Sequence, residues 1–164
     1  MLFVGGASSV THLHFDIDLS NILHTQFIGT KRVLLFPFKE QHKLYRKPWE
    51  VLSLANFANY NQDFDYNNFP AVKLARGYEL ILEHGDTLFM PAGYWHHMEY
   101  LEAGFAMSLR ALQSNLSGKL AGAWKLFGMR GIDTLMKKTA PKWWYESKKQ
   151  KIFENAKREL MHLE

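Results

Sequence analysis

The spacing of apolar residues changes character twice along the chain. Up to about residue 36, short runs and alternations bounded by turn residues predict strands in "LFVGG", "VTHLHFD", "ILHTQF" and "RVLLFPF", with Gly29 and Thr30 turning between the last two. Between 37 and 70 the pattern shifts. "KPWEVLSLANFA" spaces its apolar residues at helical intervals with Pro48 at the start, which predicts a helix, and the polar "NYNQDFDYNNFP" predicts a surface loop. Strands return in "YELILE", "TLFMP", "HHMEYL" and "FAMSLRAL", punctuated by "EHGD", "PAGY" and "EAG". From Ser117 a helical period takes over in "GKLAGAWKLFGM", "GIDTLMKKT" and "PKWWYESKKQKIFENAKRELMHL", where Pro141 is placed to open the last helix.

Several short strands at regular spacing predict a sandwich or barrel. The expected architecture is therefore mainly β with C-terminal helices, a β-rich core over residues 1–113 followed by a helical region over 114–164. In those helices Trp124, Leu126, Trp143, Trp144 and Phe153 are candidates for burial, on the barrel or against a second subunit.

Composition narrows the chemistry. With no cysteine, disulfides, zinc–thiolate sites and a cysteine nucleophile are all excluded, and a reducing, cytoplasmic setting is the expectation. The net charge of +4 is concentrated in lysines after residue 117, which reads as a solvated helical face rather than a nucleic-acid surface. No apolar run approaches the ~20 residues of a membrane span, so no membrane partner is expected. "MLFVGGASSV" lacks a basic n-region and does not read as a signal peptide.

The densest chemistry lies in "THLHFD". On a regular strand His12, His14 and Asp16 share one face, giving three candidate metal ligands. About eighty residues downstream, "GDTLFMPAGYWHH" adds His96 and His97 after a tight turn. In a closed antiparallel barrel such distant strands can be neighbours. Two imidazoles and one carboxylate on one side of a metal leave positions open, the arrangement of non-haem Fe(II) oxygenases. His24, His42 and His84 read as ordinary core or surface histidines.

Taken together, "THLHFD", "GTKRVLLFPF", "FPAVKLARGYELILEHGDTLFMPAGYWHH" and "GFAMSLRAL" resemble the JmjC/cupin-like oxygenase family, most closely the branch that contains the hypoxia-inducible-factor asparaginyl hydroxylase. The resemblance spans roughly residues 2 to 112. It implies a double-stranded β-helix (a jelly-roll or cupin barrel) that binds Fe(II) and uses 2-oxoglutarate as cosubstrate. It further implies His14, Asp16 and His96 as the metal ligands, with His97 pointing away, and assigns Thr11 and Lys31 to the cosubstrate, Lys31 pairing with its distal carboxylate. Asn21 is a candidate for the family's asparagine near the cosubstrate, although the interval from Asp16 to Lys31 is longer than usual. Arg110 falls where the asparaginyl hydroxylases carry an asparagine, and is read as a partner of 2-oxoglutarate or of a substrate carboxylate. Family members normally carry an N-terminal segment before this point that supplies a tyrosine to the pocket; the expectation is that this chain lacks it.

Ordinary cupins offer a rival ligand set, His12, His14, Asp18 and His96. Side-chain parity does not choose between the sets, because positions 12, 14, 16 and 18 all fall on one face; the lysine at 31 favours the oxygenase set. Thr11 and His14 differ in parity, so both reach one pocket only if the strand bulges between them. The expected activity is a 2-oxoglutarate-dependent dioxygenase hydroxylating a protein side chain, an RNA or a small molecule. Alternatives are a non-catalytic cupin-like binding module and a metal cupin independent of 2-oxoglutarate. A homodimer through the C-terminal helices is expected.

Overall fold

The computed structural model describes residues 1–58, 60, 63–112, 120 and 123–161, with the backbone alone of Lys125 and Leu126. Eight strands form two four-stranded antiparallel sheets. They are β1 (Leu2–Gly5), β2 (Val10–His14), β3 (Asn21–Ile28), β4 (Lys31–Phe36), β5 (Tyr78–Leu82), β6 (Thr87–Met90), β7 (Trp95–Tyr100) and β8 (Gly104–Ala111). The first sheet runs β1-β8-β3-β6 and the second β2-β7-β4-β5, so each sheet joins strands from both ends of the barrel sequence. This is the jelly roll expected, followed by the helices α1 (Arg130–Thr139) and α2 (Pro141–Met161). Pro141 sits at the first position of α2, where a missing N–H costs nothing.

The sheets face each other across Ile22, Val33, Leu35, Leu82, Met90 and Met98. A larger core lies behind the second sheet. There Leu13, Phe15, Leu34, Phe36 and Trp95 pack against Leu44, Tyr45, Phe57, Ala71 and Val72 of the intervening segment and against Ile152 and Ala156 of α2. β4 is therefore covered on both faces, which explains why "VLLF" is uninterrupted rather than alternating. Among the described residues the first sheet has no such cover. Its outer rows, Phe89–Leu23–Leu109, Met107–Leu2 and Phe105–Val4, are apolar, and Val4 is 83% exposed.

Two expectations change. Residues 48–58 form no helix. Instead Phe15 N–H donates to the Val51 carbonyl and Ser53 N–H to that of Leu13, so the segment continues alongside β2 through a bridge from His14 to Leu52. Pairing with an exposed strand end outweighs a short helix whose apolar spacing serves the core equally well. The intervening region instead carries 3-10 turns at Phe38–His42 and Pro70–Leu74. The first expected C-terminal helix lies partly outside the described residues; Trp124–Met129 forms a π-helical turn leading into α1. Of the aromatic candidates there, Trp144 is buried, and Phe153, Trp124 and Trp143 are exposed. The side chain of Leu126 lies outside the described residues.

The helices are tied to the barrel side by buried charge. Asp133 on α1 accepts from Lys148 Nζ at 2.9 Å, from Trp144 Nε1 at 2.8 Å and from Lys137 Nζ at 2.6 Å. Lys148 reaches on to Glu50. Burial alone would raise the Asp133 carboxyl, but these donors hold it down at about 2. Replacing Asp133 with Ala strips Lys148 of one of its two anions and leaves the Trp144 N–H without its acceptor. The expected loss is about 2–4 kcal/mol in urea unfolding. An Asp133→Leu/Lys148→Met double variant should recover the part that comes from the Lys148 charge and leave the part that comes from the Trp144 N–H.

Candidate metal centre

The site is built where β2 pairs with β7. The register runs Thr11 opposite Met98 and His14 opposite His96, so β2 spends one residue more than β7 over this stretch. That bulge turns Thr11 and His14, of opposite parity, toward the same cavity. His14 and His96 become cross-strand neighbours, their ring centroids 4.3 Å apart. Asp16 follows just beyond the strand, past Phe15, which is fully buried and edge-on to Trp95 at 4.9 Å. The candidate ligand atoms of His14, Asp16 and His96 all lie within 4.8 Å of one another.

The hydrogen bonds prepare this donor set for a cation. His14 Nδ1 donates to the His12 carbonyl at 2.8 Å and His96 Nδ1 to the Tyr94 carbonyl at 3.2 Å. Both rings thus present an Nε2 lone pair. Asp16 Oδ1 accepts from Arg110 Nη2 at 2.8 Å, whereas Oδ2 is buried without a hydrogen-bond partner. Burial, reinforced by His14, brings His96 down to about 3, so it stays neutral and able to ligate. These are the features a bound divalent ion would require. His12 is exposed and gives the site only its carbonyl, and Asp18 bonds Arg110 and Ser20.

Behind the cluster lies a cavity of about 70 Å³, room for about two waters. At its base Lys31, only 1% exposed, donates to His24 Nε2 at 3.0 Å and lies 4.1 Å over the Tyr100 ring. His24 in turn donates from Nδ1 to Ser108 Oγ at 2.8 Å. Among the described residues no carboxylate pairs with Lys31. Burial lowers it to about 8, and burial together with the Lys31 charge lowers His24 to about 4. At neutral pH the pair is therefore an ammonium beside a neutral imidazole, a fixed positive charge in a nearly dry pocket.

The remaining candidates fall as follows. Thr11 lines the cavity mouth. Asn21 lies outside the cavity lining; its Oδ1 accepts the Ala92 N–H at 3.0 Å and pins the turn that delivers β7. Arg110 lines the cavity and binds Asp16 and Asp18. His97 faces the other side of its sheet, buried near Phe57. The long interval from Asp16 to Lys31 is absorbed in part by a second bulge between Gln26 and Ile28, which Gln26 Nε2 stitches by donating to the Ile28 carbonyl at 2.7 Å. The sequence reading missed His24, Tyr100 and Ser108. The signal was there for His24, which shares inward parity with Ile22 and Gln26.

His24, His96 and His97 are all buried with depressed values, about 4, 3 and 4. Each stays neutral in the fold while its unfolded counterpart protonates near 6.5. Their stabilising contribution is complete above pH ~6.5 and is lost as pH falls toward the folded values. Metal-free protein should accordingly lose stability steeply between about pH 6 and 4, taking up as many as about three protons on unfolding, as measured by urea titration against pH.

Comparison with known proteins gives the family. A family profile described as "Cupin-like domain" matches residues 1–151. JmjC domain-containing protein F of Dictyostelium discoideum is 32% identical over 122 residues, covering 65% of this chain and 25% of the relative. Lysine-specific demethylase 8 of Xenopus tropicalis is 33% identical over 105 residues, covering 63% and 23%. Lysine-specific demethylase JMJ30 of Arabidopsis thaliana is 33% identical over 105 residues, covering 63% and 24%. The chain spans about a quarter of the length of each of these relatives. Their names are of JmjC proteins and lysine demethylases, so the narrower likeness to the asparaginyl hydroxylase rests on the sequence motifs alone. No helix among the described residues is long and apolar enough to cross a membrane. With a jelly roll, a His-Asp-His cluster at the junction of β2 and β7, and a profile match over most of its length, the chain belongs to the cupin-like domain family, and its relatives include proteins named as JmjC domain-containing.

Proposed function

We propose that this domain is an Fe(II)- and 2-oxoglutarate-dependent oxygenase that hydroxylates a protein side chain. The observation that carries this reading is the pairing of the His14–Asp16–His96 cluster with Lys31, a buried cation without a carboxylate partner in the same cavity. The donor set of two neutral imidazoles and one carboxylate suits Fe(II), and a buried ammonium suits the distal carboxylate of a dicarboxylic acid. When bound, Fe(II) and 2-oxoglutarate supply the oxidising power: one oxygen atom of dioxygen ends in succinate as carbon dioxide leaves, and the other enters the substrate.

The chain's own residues do the rest. His14 and His96 would hold the metal through Nε2 and Asp16 through Oδ2. Lys31, steadied by His24, would take the distal carboxylate, and Thr11 lines the same cavity nearer its mouth. Phe3, Ile22, Met90 and Met98 supply apolar wall, keeping water from the charged groups. The protein-side-chain substrate is favoured by the demethylase names of the relatives.

Purified protein given Fe(II) and 2-oxoglutarate should release succinate, and Asp16→Ala should abolish the release. A folded protein that takes up neither iron nor 2-oxoglutarate would sink the proposal. Lys31→Ala should raise the 2-oxoglutarate KM by at least ~30-fold. Lys31 is charged below about pH 8 and discharges above it, so dicarboxylate affinity, read by calorimetry, should be flat below that pH and fall as pH rises through it.

The exposed Phe127, Leu135, Trp143 and Tyr145 support a second inference, association of two copies through the C-terminal helices. Light scattering should report a dimer that Trp143→Glu converts to monomer.

A further inference from the structure

We propose that Arg110 is a positioning residue that holds Asp16 as a one-oxygen ligand, an inference that rests on the metal-site reading above. Arg110 lies on β8 directly opposite Ile22 of β3, so its side chain enters the barrel on the side of the metal cluster. Its guanidinium forks between two carboxylates, with Nη2 on Asp16 Oδ1 at 2.8 Å and Nη1 on Asp18 Oδ2 at 3.3 Å. Asp18 is itself fixed, accepting from Ser20 Oγ at 2.7 Å and from the Ser20 N–H at 3.3 Å. A chain of contacts thus runs from the β2–β3 loop through Asp18 and Arg110 to Asp16.

The consequence lies in what remains of Asp16. A free carboxylate can rotate and offer a cation either oxygen or both. Here Oδ1 is taken by the guanidinium and Oδ2 is buried and unpartnered, so a single oxygen is left for a metal. Asp16 lies beyond the last residue of β2, where no strand ladder orients it, and the fork from β8 supplies that orientation. The charges agree with this role. Asp16 and Asp18 against Arg110 and Lys31 sum to zero. A divalent cation and a dicarboxylate then enter together without net charge accumulating in the cavity.

Partners that orient a ligand typically contribute 10- to 100-fold to metal affinity. The test is Co(II) binding followed by its visible absorption in wild type, Arg110→Ala, Arg110→Lys and Asp18→Asn, with thermal unfolding in chelator measured alongside. Arg110→Ala should weaken Co(II) by about 10- to 100-fold and alter the absorption envelope, because Asp16 is then free to present both oxygens. Arg110→Lys, which keeps one donor, should recover part of the affinity, and Asp18→Asn should fall between wild type and Arg110→Ala. Equal or tighter Co(II) binding by Arg110→Ala would overturn the proposal, since Arg110 would then be a competitor for Asp16 or a bystander. So would a lowered melting temperature with affinity and absorption unchanged, the signature of a purely structural ion pair. If Arg110→Ala does not fold, the Lys and Asp18→Asn variants decide by the same criteria. Wild-type protein that binds no Co(II) would refute the metal site itself and this proposal with it.

Discussion

The pairing of β2 with β7 is the contact on which the rest of the molecule depends. These strands lie more than eighty residues apart, and only their antiparallel register places His14 across from His96. The constraint is stringent because the side-chain period of a strand is two. A slip of one residue would send His14 to the outer face and bring its neighbours Leu13 and Phe15, both now in the rear core, into the cavity. That rear core guards the register. Phe15 and Trp95 each sit one residue from a candidate ligand and interlock edge to face on the opposite side of the sheet.

The motif residues were legible because metal chemistry restricts residue type more sharply than folding does. Type and spacing offered His12, His14, Asp16, Asp18 and His96, the family resemblance picked His14, Asp16 and His96, and the structure brings those three together. The strands were legible for a simpler reason, the alternation of apolar residues between turn signals. What sequence could not supply was the partner of each strand end. The segment after Pro48 carries helical spacing, yet its backbone donors and acceptors are claimed by Leu13 and Phe15. The 3-10 turn at Pro70 was hidden for a related reason, since Ala71 and Val72 are needed as filling for the core. His24 was passed over because a lone histidine in a strand is usually unremarkable. Its role comes from Lys31 beside it, a contact across seven residues that parity alone only hints at.

Charge in the cavity is arranged in two tiers. At the mouth, Arg110 offsets one of the two aspartate charges. At the base, Lys31 has only an imidazole, an aromatic face and a hydroxyl-bearing neighbourhood. A buried cation without a counter-ion is costly to the fold. On the proposed reading a bound carboxylate would offset that cost, coupling stability to ligand binding through one ammonium group.

The outer face of the first sheet carries a different consequence. Leu2, Val4, Leu23, Phe89 and Leu109 are exposed side by side on strands whose inner face is already the barrel wall. A sheet greasy on both sides is half of an unfinished sandwich. Water against it is unfavourable by roughly 25 cal/mol for every Å² of apolar surface, and whatever covers it recovers that free energy. A partner or second copy that covered this face would raise the melting point, and would do so in proportion to the logarithm of its concentration above its dissociation constant.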